Sequence, residues 1–118
     1  MHLRSLPGSP IGVSSQSNAP QSRISSIRLH GKKDAELLRL AEIIAALPEC
    51  EKLSTQDSYL HAVCKRWFVF TAELEFVWSE FENTFQVRAA TISGFTDFGA
   101  NRTRVELIRH QFDKGYLF

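Results

Sequence analysis

The first 33 residues of this 118-residue chain contain no aspartate and no glutamate. They hold Arg4, Arg23, Arg28, Lys32 and Lys33, together with eight serines and three of the four prolines. Large apolar side chains are sparse there, so burial cannot offset the entropy lost on ordering. The composition therefore predicts a disordered basic arm over residues 1–33, a boundary at Lys33/Asp34 and a globular domain over residues 34–118.

Other shortages narrow the function. No apolar run approaches about 18 residues, which excludes a membrane-spanning helix and predicts no membrane partner. The opening residues lack the apolar core of a secretory signal. Cys50 and Cys64 are the only cysteines, too few for a disulfide scaffold. Both are expected reduced in an intracellular, cytoplasmic protein. An arm rich in Arg and Ser and free of acids also resembles an organellar targeting peptide, which gives the alternative location. Pro7, Pro10 and Pro20 break the helix such a peptide would form.

The folded part reads first as helix. Leu37, Leu40, Ala41, Ile44 and Leu47 recur every three or four residues behind Asp34, a capping residue type, and Pro48 stops the run. Ser54 and Asp57 resemble a second cap. Leu60, Val63, Trp67, Phe70, Leu74, Val77 and Phe81 then follow a 3,4 spacing without a miss, as in a heptad seam. Residues 68–78 also alternate apolar and polar as a half-buried strand would, but over a length greater than most strands reach. Helix is the reading adopted.

Beyond Asn83 the pattern turns β-like. Phe85, Val87 and Ala89 alternate, as do Thr103, Val105 and Leu107, with a turn-rich stretch between them. A last helix with Val105, Ile108 and Phe112 facing inward fits the same residues. The predicted fold is mainly α, two helices followed by a C-terminal β-hairpin or a third helix, with α+β as the alternative.

Candidate chemistry is thin. Asp57, His61 and Cys64 would share one side of the second helix, the composition of a thiol nucleophile with base and orienter. Triads usually draw on separate elements, however, and capping and burial already explain Asp57 and Cys64. His61, Cys64, Cys50 and His110 lack zinc spacing. Asp97, Phe98 and Gly99 match a kinase tripeptide in letters only. Phosphate-loop and nucleophile-elbow patterns do not occur. No catalytic residue, cofactor or metal site is assigned.

A helix from Thr55 to Glu82 would be about 42 Å long, against a globule about 31 Å across. Its uncovered end predicts self-association as a homodimer, antiparallel because Glu73 and Glu80 would repel in parallel packing. The expected function is that of a non-enzymatic regulatory or adaptor protein acting through protein–protein contacts. The partner-binding residues are Trp67, Trp78 and Phe81, joined by the apolar tail Tyr116, Leu117 and Phe118. The alternative is a nucleic-acid-binding regulator using Arg23, Arg28, Lys32 and Lys33 of the arm with Arg102, Arg104 and Arg109 of the basic stretch 102–114.

Overall fold

A computed structural model describes residue 3 and residues 12–66, 70–93 and 99–115. The protein is built on an antiparallel sheet, and the mainly α expectation is wrong. Among the described residues six strands form it: β1 (Gly12–Ser14), β2 (Ile27–Arg28), β3 (Cys50–Gln56), β4 (Tyr59–Arg66), β5 (Phe70–Ser79) and β6 (Thr84–Ser93). The spatial order is β1-β6-β5-β4-β3, and β2 also pairs with β6. Two helices, α1 (Lys33–Ala45) and α2 (Ala100–Lys114), pack on one face.

The segment read as one long helix holds the end of β3, a turn at Asp57, β4 and β5, with residues 67–69 outside the described residues. Asp57 adopts φ 53° between Gln56 and Tyr59, which are paired across β3 and β4. A left-handed residue is what a two-residue hairpin needs, and aspartate tolerates it better than most. Asp57 is therefore a turn residue and not a cap. The same role falls to Asn83, at φ 53°, which closes the turn between Ser79 and Thr84.

The 3,4 spacing misleads because both faces of the central strands are buried. Leu60, Leu74 and Phe76 lie under the helices, while Val77 and Ala90 are buried on the other face. Apolar residues thus occupy both parities, and a heptad subset can be picked from them. The β-branched and aromatic run from Phe76 to Trp78 suits a pleated surface.

A helix does occupy Lys33–Ala45, with Leu37, Leu40 and Ile44 buried, although Asp34 lies in its first turn and Lys32 is its N-cap. At the C-terminal end the helix alternative holds: Val105, Ile108 and Phe112 of α2 are fully buried, and no strand forms over 102–107. Phe85 meets Phe112 edge-on, with ring centroids 6.2 Å apart.

The boundary at Lys33/Asp34 does not divide the described residues. Val13, Ile24, Ile27 and Leu29 belong to the same core as Leu40 and Phe112. Gly12–Ser14 pair with residues 88–90, and Ile27 pairs with Phe85. Four well-spaced aliphatic residues suffice to anchor this stretch, because each enters a core the rest of the chain has already built. Trypsin is accordingly expected to spare the Arg28–Leu29 bond of the native protein. Ile27 is fully buried and the Leu29 amide donates to the Asn83 carbonyl at 3.2 Å. Limited digestion followed by mass spectrometry reads this directly, and early cleavage after Arg28 would contradict it.

The cysteines are not reduced. Cys50 and Cys64 face each other across β3 and β4 and form a disulfide, so neither is a free thiol. Beside it β3 carries a bulge between Glu51 and Ser54, with Lys52 at φ 52°. Bulges with exposed charge are a common way to blunt an open sheet edge.

Candidate functional site

Two polar arrangements stand out, and they lie at different places on the sheet. The first is a buried ionic layer on the face that carries no helices. Cross-strand pairing sets His61 beside Glu75 and Glu75 beside Arg88, so all three point the same way. Arg88 Nη1 donates to Glu73 Oε1 at 2.6 Å and to Glu75 Oε1 at 2.9 Å. The outer carboxylate oxygens are also engaged. His61 Nε2 lies 3.2 Å from Glu73 Oε2, and the Tyr59 hydroxyl donates to Glu75 Oε2 at 2.6 Å. The Tyr59 and His61 rings stack, with centroids 6.4 Å apart.

In this layer each carboxylate is clamped from both sides, an arrangement that fixes its position. The thiol triad is absent. His61 and Cys64 lie on opposite faces of β4, Asp57 is in the turn and Cys64 is oxidised. Of the four residues weighed as metal ligands, Cys50 and Cys64 are joined to each other in the disulfide. Among the described residues no three His, Cys, Asp or Glu side chains are placed to hold a metal ion.

The second arrangement is at the β5–β6 hairpin end. Phe81 sits in the turn with its side chain 99% exposed, between the exposed residues Glu80 and Glu82. A cleft of about 460 Å³ opens at the same hairpin end. One wall comes from the segment linking β1 to β2, with Ser15, Gln16, Arg23 and Ser26. The other comes from the hairpin, with Trp78, Glu82 and Gln86 among its residues, and Leu3 also reaches the cleft. Gln86 joins the walls: its Oε1 accepts from Ser15 Oγ at 2.7 Å, and its Nε2 donates to Glu82 Oε1 at 2.8 Å.

The expected partner-binding residues separate. Phe81 is exposed in the turn next to Glu82, which lines the cleft, and Trp78 is half-buried on the cleft wall, with the Lys33 ammonium 5.5 Å from its ring centroid. Trp67, Tyr116, Leu117 and Phe118 lie outside the described residues.

The expected nucleic-acid residues do not form one surface. Arg102 donates to the carbonyls of Gln21 and Arg23, and Arg109 to those of Ser25 and Ser26. Arg104 is buried, at 3.0 Å from Glu49. These three arginines, read as a basic stretch, pin the 21–26 segment and Glu49, the residue before β3, to α2. Arg23, Arg28 and Lys32 remain exposed, and Lys33 is paired with Asp34.

Sequence reasoning missed the Arg88 layer, the cleft and the disulfide. The alternation of Glu73 and Glu75 with Leu74 and Phe76 was the available signal for the first of these.

An antiparallel sheet with two helices on one face, a clamped ionic layer on the other and an exposed aromatic at a hairpin tip describes a small α+β domain. The chain belongs to the family of proteins of unknown function designated DUF1499, whose profile matches residues 2–112. That match spans the residues on both sides of Lys33. No curated protein matches the chain. Among the described residues, no helix is long and apolar enough to cross a membrane.

Proposed function

We propose that this protein is a non-enzymatic regulatory or adaptor module that binds a protein partner through the β5–β6 hairpin end. The observation that supports the reading is Phe81. The turn needs a left-handed residue only at Asn83, so any polar residue would serve at position 81. A fully exposed benzyl group contributes no burial to the fold, and large aromatics dominate binding hot spots. Glu80 and Glu82 beside it call for a partner with a basic rim around an apolar pocket.

The homodimer expectation loses the overlong helix it rested on, and the acids on either side of Phe81 favour a basic partner over a second copy of the same hairpin end. The nucleic-acid reading draws less support, because the donors of Arg102, Arg104 and Arg109 are spent inside the chain. The disulfide favours work in an oxidising compartment over the cytoplasm.

A photo-crosslinking amino acid at position 81, tested in the native host, is expected to give one discrete adduct. The same group at Leu38, also exposed, should give none. Phe81→Ser should shift stability by no more than about 0.5 kcal/mol while removing the adduct formed from position 80. No adduct at 81, or an adduct from 80 indifferent to Phe81→Ser, would end the reading.

A further inference from the structure

We infer that the cleft beside Phe81 selects a partner segment by its charge pattern, placing a cationic side chain at Glu82 and a carboxylate at Arg23. The inference rests on the protein-partner reading above and assigns the chemistry of what enters the cleft.

Arg23 and Glu82 stand on the two walls: Arg23 belongs to the β1–β2 segment and Glu82 to the hairpin turn. Their charges are not used up. Arg23 makes one long bond, Nη1 to the Ser17 carbonyl at 3.4 Å. Glu82 accepts from Gln86 through Oε1 only. No ion pair joins either residue to another described residue.

Both walls are fixed before anything binds. Arg102 holds the Arg23 carbonyl at 2.9 Å, and Arg109 holds the carbonyls of Ser25 and Ser26. On the opposite side Ser15 and Glu82 fix the Gln86 amide from either end. A preorganised wall spends little of the binding energy on its own ordering. Serine hydroxyls and the Gln16 amide also line the cleft and offer both donors and acceptors. That lining matches the peptide groups of an extended segment. A ligand of one sign would meet repulsion at one wall of the cleft, whereas a segment carrying both signs can match each wall.

The test uses the full chain and blocked synthetic peptides, acetyl-Lys-(Ala)n-Glu-amide with n from 1 to 3, each against its Gln/Gln counterpart. Isothermal titration is expected to show at least one spacing binding ten times more tightly than its neutral counterpart. Arg23→Gln and Glu82→Gln should each remove most of that preference, and both residues are exposed, so the fold should tolerate the changes. Equal affinity for charged and neutral peptides at every spacing would overturn the inference, as would a preference that survives both substitutions. The crosslink at position 81 is read separately. An adduct without peptide discrimination rejects the cleft assignment alone, and discrimination without an adduct rejects the choice of Phe81 as the docking point.

Discussion

Removing the Cys50–Cys64 bridge, by Cys50→Ser with Cys64→Ala, is expected to lower the unfolding free energy by about 3 kcal/mol. The bridge closes a loop with a sequence separation of 14, and the chain-entropy model assigns about 3 kcal/mol to a loop of about 15 residues. The effect should be felt in full because β3 is an edge strand with little other anchorage. Most of its residues are exposed, and the bulge between Glu51 and Ser54 interrupts its pairing. For a domain of this size the melting temperature should fall on the order of 10 °C. Calorimetry of oxidised and double-mutant protein measures it, and an unmoved transition would mean that the bridge constrains nothing. The native disulfide should also resist small thiols. Attack on the more accessible Cys50 sulfur must expel a thiolate at Cys64, which is fully buried, and a buried thiolate is a poor leaving group.

This bridge was not legible in the sequence, for a physical reason. Two cysteines 14 residues apart carry no information about pairing until the strands that hold them are known. Once Asp57 turns the chain, register alone brings Cys50 opposite Cys64.

The helix–strand error has a related origin. Leu60, Leu74 and Val77 are apolar for different reasons, two facing α1 and α2 and one facing the opposite side. Periodicity assumes a single buried face, and it fails in the strands where that assumption fails. It succeeds in α1, which buries one stripe: Leu37, Leu40 and Ile44. The arm misled in the same way. Its average composition is that of a solvated tail, but Val13, Ile24, Ile27 and Leu29 each fill a place in a core assembled by other residues. Composition averages over positions, whereas burial is decided position by position.

At the candidate site, Phe81 was found for the wrong reason. It was read as the end of an apolar seam, yet it is exposed in a turn that needs no apolar residue. Arg23 was counted among arm charges, and only the fold sets it across a cleft from Glu82. Charge along a sequence reports sign but not direction. The arginines of α2 illustrate the point, since Arg102 and Arg109 donate to backbone carbonyls and Arg104 to Glu49.

The largest single effect is expected at Arg88. Arg88→Met should cost about 3–5 kcal/mol, because it withdraws the shared cation from two buried carboxylates. Glu73 and Glu75 both bond the same Nη1 nitrogen, at 2.6 and 2.9 Å, and all three side chains are less than 10% exposed. Without the guanidinium the two acids confront each other across one turn of the pleat, and like charges in a poorly solvated layer repel strongly.

The pair is not thereby a source of stability. Desolvating three charges costs several kcal/mol each, and Arg88 Nε is buried with no hydrogen-bond partner, an added penalty that methionine does not incur. The triple variant Arg88→Met, Glu73→Leu, Glu75→Leu should therefore recover most of the loss and reach or exceed the parent stability. His61 and Tyr59 would lose carboxylate partners, but both are partly exposed and water can replace them. The result is a strong positive coupling among the three positions, as expected for residues in one network. Denaturant titration of the single and triple variants gives the answer, and if the single variant does not accumulate the triple still reports. A cost below about 1 kcal/mol for Arg88→Met would show that the layer is open to water. A triple variant no more stable than the single one would show that the ions themselves hold the strands in register.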